Sequence, residues 1–138
     1  MNLADTRQAL NLHLVGTLIT TTVFDRIMAE KGKGVIVNIS SLSIKKALTH
    51  VLGYTMAKTD IEDYTKYMAS ELDLRYNGRI RMNALAPSVF ITEQNTALLL
   101  NPDGSYTNRA QNFINNMPYA RFGKPDELTG ALIYLSFK

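Results

Sequence analysis

Apolar positions recur at helical spacing along the first part of the chain. Leu10, Leu14, Leu18, Thr21, Phe24 and Met28 share one face of a helix predicted over about residues 4–31, and Gly32 supplies its stop. The period then changes. Gly34-Val35-Ile36-Val37-Asn38-Ile39-Ser40 is short, apolar and β-branched, which predicts a strand over residues 34–40 that halts at two serines. A polar loop runs through Gly53. A second helical stripe follows, made of Ala57, Ile61, Tyr64, Met68, Leu72 and Tyr76, and predicts a helix over about residues 54–77 ended by Gly78. Glu62 and Lys66 read as an exposed favourable pair on it. Residues 79–86 read as another strand, closed by Pro87. Helix, strand, helix, strand with connections of this length imply parallel strands, a right-handed crossover and a layered α/β domain.

Beyond Pro87 the pattern breaks into two shorter helical pieces, residues 93–100 and about 107–116, around the turn Asn101-Pro102-Asp103-Gly104. An insertion of this kind between a strand and the next core helix reads as a lid. A last helix opens at Pro125. Two strands alone cannot bury both faces of a parallel sheet or satisfy its edges, so the chain is expected to be part of a larger domain.

Composition narrows the function classes. The 138 residues, 46% hydrophobic and 20% charged, suit one globular domain. The net charge of +3 does not form a stripe: the basic residues fall singly or in pairs such as Lys31/Lys33, Lys45/Lys46 and Arg79/Arg81, so neither nucleic acid nor a membrane is an expected partner. Zero cysteines exclude a disulfide framework and cysteine-ligated zinc, and no metal site is read. No apolar run reaches membrane-spanning length and the N-terminus lacks a signal-peptide layout, so the expected location is cytoplasmic.

The chemistry-bearing feature is the stretch Gly53-Tyr54-Thr55-Met56-Ala57-Lys58, which puts a phenol and an ammonium four residues apart on one helix face. A second such spacing, Tyr134 with Lys138, lacks a preceding strand and reads as part of a terminal helix. Tyr54 instead follows Ser41 by thirteen residues, and Ser41 lies just past a strand's carboxyl end, where ligands bind in parallel sheets. A free phenol titrates near pH 10 and needs about 4 kcal/mol to act near neutrality. A cation at roughly 4 Å supplies about that at an effective dielectric near 20.

Taken in order, Val37-Asn38-Ile39-Ser40-Ser41, Tyr54-Thr55-Met56-Ala57-Lys58 and Arg81-Met82-Asn83-Ala84-Leu85-Ala86-Pro87, with Thr92 beyond, resemble the short-chain dehydrogenase/reductase family over nearly the whole chain. The resemblance implies an incomplete Rossmann-like, doubly wound parallel sheet, an NAD or NADP cofactor, and a catalytic group of Ser41, Tyr54 and Lys58. It further implies cofactor contacts from Tyr54, Lys58, Pro87 and Thr92. The segment from Thr92-Glu93-Gln94-Asn95 to Arg121-Phe122-Gly123-Lys124-Pro125 looks most like the fructuronate reductase and D-mannonate oxidoreductase branch, which implies a sugar-acid substrate. Gln94 and Asn95 are candidates for its hydroxyls, against helix capping and packing. The two long helices resemble those through which the family forms homo-oligomers.

Four departures qualify the match. His13-Leu14-Val15-Gly16-Thr17 carries histidine where the family has a catalytic asparagine. Ser88 stands where a glycine usually follows the proline. No glycine-rich turn follows a strand, so the expectation is a partial catalytic domain, residues 1–138, without the N-terminal dinucleotide-binding strands. It is likewise expected to lack the final strand. His50 reads as a surface loop residue and Arg121 as a structural partner of Asp126 or Glu127, each with a substrate contact as the alternative. Two function classes result: a fragment of a carbonyl/alcohol oxidoreductase, inactive in isolation, or a non-catalytic remnant retaining mainly an oligomerisation surface.

Overall fold

The computed structural model describes residues 2–45 and 49–137. These divide into two compact units, Met1–Ala86 with Gly130–Lys138, and Pro87–Thr129.

In the first unit the predicted N-terminal helix is interrupted. It consists of α1 (Leu3–Ala9), a π-helical turn (Leu10–Val15) and α2 (Gly16–Lys31). Asn2 caps α1 through its side chain, and Gly32, at φ 70°, ends α2 in the left-handed region that a glycine enters without cost. The strand β1 (Gly34–Ile39) pairs in parallel with β2 (Ile80–Leu85), in a register running from Gly34 opposite Ile80 to Ile39 opposite Leu85. The crossover between them is α3 (Leu52–Tyr76), closed by Asn77 and Gly78, both at positive φ. Leu72, Ile80 and Met82 form the core here, with Met28, Ile36, Tyr64 and Met68 packed around them. Gly34 is required by that packing, because a Cβ at this position would overlap the Met28 side chain.

One predicted pair is corrected. Glu62 faces Lys45 at 3.7 Å and is largely buried, while Lys66 pairs with Asp63 at 3.0 Å. Helical spacing permits both choices, and a neighbour outside the helix decides between them. The last helix, α6 (Thr129–Ser136), ends in this unit, where the Arg81 guanidinium donates to the carbonyls of Leu135 at 3.3 Å and Phe137 at 2.7 Å. A cation there meets the negative end of the helix. Tyr134 is 81% exposed on it, and its spacing partner Lys138 lies outside the described residues.

The second unit has its own small core of Leu99, Ala110, Ile114 and Phe122. The helices α4 (Thr96–Leu99) and α5 (Asn108–Asn115) are shorter than the periodicity predicts. A turn consumes the expected start of α4: Asn95 accepts from the Thr92 amide at 2.8 Å and donates to the Phe90 carbonyl at 2.7 Å. Thr107 caps α5 by accepting from the Ala110 amide.

Candidate active site

The end of β1 and the first two turns of α3 are joined by polar contacts. Ser40, nearly fully buried, donates through Oγ to the Lys58 carbonyl at 3.2 Å. Lys58 Nζ in turn donates to the Ile39 carbonyl at 2.6 Å. One layer deeper, Asn38 Nδ2 donates to Thr65 Oγ1 at 2.9 Å, and that hydroxyl donates to the Ile61 carbonyl at 2.7 Å. The helix that carries the tyrosine and lysine is therefore pinned to the strand that ends in the serines.

Tyr54 and Lys58 lie together as helical spacing requires, with Nζ 5.6 Å from the Tyr54 ring centroid. Burial disfavours the charged form of Lys58 and lowers its pKa below the ordinary lysine value. Ser41 begins the short turn Leu42–Ile44, where its Oγ accepts from the Ser43 amide at 3.2 Å. It directly follows Ser40, the residue that ties the strand end to the Lys58 turn.

His13 joins this group from the π-helical turn. Its ring meets Tyr54 edge to face, with centroids 5.1 Å apart and planes at 88°. Burial, and secondarily the charge of Lys58, lowers its pKa below the ordinary histidine value. Gly53 makes the approach possible, since a Cβ there would come within 2.9 Å of the Thr6 Cα on α1. Neither the Ile39 carbonyl, a backbone atom, nor the role of Ser40 as a strand-to-helix tie is evident from residue types. The doubled serine at the strand end is the one signal that points to it.

The remaining candidates, His50 apart, belong to the second unit. Pro87 is half-buried, and Thr92 and Gln94 are exposed. Both polar ends of the Asn95 amide are occupied by the Phe90–Thr92 turn. Arg121 pairs with Glu127 at 2.6 Å, and with the Lys124 amide it holds the Glu127 carboxyl at about 2. His50 is exposed, at a φ of 64°. Among the described residues no cluster of His, Cys, Asp or Glu could hold a metal ion, and no helix is long and apolar enough to cross a membrane.

A parallel β-α-β unit with its polar cluster at the carboxyl end of the first strand defines a Rossmann-like α/β protein. Residues 1–137 match the family model described as enoyl-(acyl carrier protein) reductase. The chain belongs to the short-chain dehydrogenase/reductase family. It is 36% identical over 124 residues to the uncharacterized oxidoreductase UxuB of Bacillus subtilis, covering 90% of this chain and 44% of that protein. It is similar to the structure of a candidate D-mannonate oxidoreductase from Haemophilus influenza with bound NAD, at 35% identity and a TM-score of 0.84, over 98% of this chain and 47% of that one. A candidate gluconate 5-dehydrogenase from Beutenbergia cavernae, with bound NADP at low occupancy, shares 26% identity at a TM-score of 0.85, over 99% of this chain and 51% of that one. The chain thus spans about half the length of the relatives it matches.

Proposed function

We propose that this chain is the catalytic half of an NAD- or NADP-dependent oxidoreductase that interconverts a carbonyl and a secondary alcohol on a sugar acid of the D-fructuronate/D-mannonate type. The observation that carries this reading is the tie of the α3 turn bearing Tyr54 and Lys58 to the end of β1, where Ser40 and Ser41 follow in sequence.

In this reading Tyr54 donates its phenolic proton to the carbonyl oxygen during reduction and accepts it back during oxidation, while Ser41 hydrogen-bonds the same oxygen. Lys58, whose Nζ lies 5.6 Å from the Tyr54 ring centroid, is assigned to support the phenolate as a neighbouring cation. The donor set suits the ribose end of a dinucleotide, since an ammonium beside a phenol offers donors to a vicinal diol. The hydride itself is supplied by the bound nicotinamide. Pro87 and Thr92 are assigned to the nicotinamide side and Gln94 to a substrate hydroxyl, whereas Asn95, whose amide is taken up by the Phe90–Thr92 turn, is left with the packing role that was its alternative. No glycine-rich turn follows a strand among the 138 residues, so nothing equivalent cradles the diphosphate, and the isolated chain is expected to bind dinucleotide poorly and to be inactive. The sugar-acid assignment draws on the candidate mannonate and gluconate oxidoreductases to which the chain is similar. A cytoplasmic location fits a nicotinamide-dependent enzyme.

A second reading has its own support. The side chains of Ile19, Val23, Phe24 and Ile27 form an exposed apolar stripe on α2. A non-catalytic remnant that assembles through α2 and α3 would use that surface. Titration of the chain with reduced dinucleotide, followed by fluorescence, tests its cofactor incompetence, which saturable micromolar binding would refute. In a full-length parent, Tyr54→Phe should abolish turnover while sparing cofactor affinity. D-Fructuronate should be reduced in preference to an acyl-carrier-bound ketone; undiminished turnover of Tyr54→Phe, or the opposite preference, would overturn the reading.

A further inference from the structure

We propose that His13 is a positioning residue of the proton-transfer site: its neutral imidazole packs against Tyr54 beside Lys58, and its protonation would set a second cation against Lys58 across the Tyr54 ring, so that the arrangement of Tyr54 and Lys58 seen here is held only above the titration of His13. This inference rests on the oxidoreductase reading and adds a residue and a pH gate to it.

The geometry comes first. The π-helical turn Leu10–Val15 inserts one extra residue into the N-terminal helix, a feature that in proteins often accompanies functional positions. The turn is held locally, with the Gly16 amide donating to the Asn11 carbonyl and Thr17 Oγ1 donating to the His13 carbonyl at 2.7 Å. The imidazole therefore stands on a fixed backbone when it meets Tyr54 edge to face at 5.1 Å. Lys58 Nζ lies near the same Tyr54 ring, and it also has the Ile39 carbonyl as a partner. A proton added to His13 would put two cations around one phenol, and their repulsion would act on Lys58 against its hold on the Ile39 carbonyl.

The groups able to answer that charge are few. From α3 they are Tyr54 and Lys58. From α1 they are Asp5 and Arg7, and along α2 the first ionisable side chain is Asp25. Among the described residues Lys58 is the charge that acts on the His13 titration, and it opposes protonation in the same direction as burial does. The neutral imidazole is accordingly the form present at neutral pH, and the cation forms only as pH falls below the ordinary histidine value of 6.5. Asparagine, which the family carries at this place, cannot titrate.

The test follows side-chain NMR signals of His13, the Tyr54 ring and Lys58 Nζ in the 138-residue chain from about pH 8 down to about pH 5, the range in which histidine titrates. The Tyr54 and Lys58 signals should move together with His13, at a midpoint below 6.5. That step should vanish in both His13→Asn and His13→Phe, the second of which keeps a ring against Tyr54. Lys58→Met should move the His13 midpoint upward. Tyr54 and Lys58 signals that stay flat through the His13 titration, or a step that survives both substitutions, would overturn the proposal. If neither His13 variant folds, the unaltered chain and Lys58→Met still decide it. No cofactor or turnover enters the measurement, so its failure removes the role of His13 alone. Failure of the oxidoreductase reading would show instead as undiminished turnover of a Tyr54→Phe parent.

Discussion

Gly53→Ala tests whether the contact between α1 and α3 positions the candidate site. Gly53 is buried in the first turn of α3, next to Tyr54. A methyl group there would lie 2.9 Å from Thr6 Cα, 3.1 Å from Ala9 Cβ and 3.2 Å from the Thr6 carbonyl oxygen. Carbon atoms make favourable contacts at about 3.5–4.0 Å, so α1 must retreat by at least about 0.6 Å from the 2.9 Å contact. Two of the three atoms are backbone and cannot rotate away. Overpacking of this kind costs about 1–3 kcal/mol, whereas replacing glycine by alanine in a helix returns at most about 1 kcal/mol. The steric term wins, and the expected net loss is about 1–2 kcal/mol. Gly130→Ala is the control: Gly130 lies in α6 with nothing within 4 Å of an added Cβ, so the same substitution should stabilise by a few tenths to about 1 kcal/mol. Urea unfolding followed by far-UV circular dichroism measures both, and the Tyr54 and His13 ring signals should shift only in Gly53→Ala. A Gly53→Ala chain as stable as Gly130→Ala, with unshifted rings, would refute the reasoning.

Two further outcomes are expected. Thr65→Val leaves the buried Asn38 Nδ2 with, among the described residues, the Met82 sulfur 3.7 Å away, and should cost about 1–3 kcal/mol. Adding Asn38→Leu should recover part of that loss, and strictly additive costs in urea unfolding would show that the bond does not form. In the second unit, the folded-state pKa of Glu127 is depressed from 4.5 to about 2 by Arg121 and by the Lys124 amide. Its contribution to stability is therefore present above the unfolded value and is lost as pH falls through about 2. Carbon-detected titration of the carboxyl should return it toward the ordinary range in Arg121→Gln, and an ordinary value with Arg121 intact would remove the pair.

Hydrophobic period located both strands and the crossover helix to within two residues, because those elements bury a stripe and periodicity records burial. The π-helical turn escaped the same reasoning. Leu10 and Leu14 keep a helical spacing across it, and one inserted residue shifts the face by an amount that a stripe of leucines does not register. The departure of His13 from the family motif was legible, but its contact with Tyr54 was not, since that contact depends on the shift. The short α4 has the opposite cause: Asn95 spends its side chain on the preceding turn, a local alternative that competes with helix. The anchor of α6 was hidden because Arg81 bonds backbone carbonyls, which every residue owns.

The strand that carries the site inverts the usual rule for a half-buried strand. Along the end of β1, Asn38 and Ser40 are 7% and 2% exposed, while Ile39 between them is 45% exposed. Side chains alternate across a strand, so the face turned toward α3 is polar at this end and apolar nearer Gly34, where Ile36 joins the core. Burying polar groups is costly unless they are paired, and here each has a partner on α3: Asn38 on Thr65, and Ser40 on the Lys58 carbonyl. Hydrophobic pattern identifies the strand, but the inward residues at this end are the polar ones that hold α3 in place. The two serines that seem to mark where the strand stops therefore have different duties. Ser40 fixes the helix bearing Tyr54 and Lys58, and Ser41, pointing the other way, caps the turn that follows. Replacing Ser40 should on this argument loosen α3 and move Lys58, whereas replacing Ser41 should leave α3 in place and release only the cap of the Leu42–Ile44 turn.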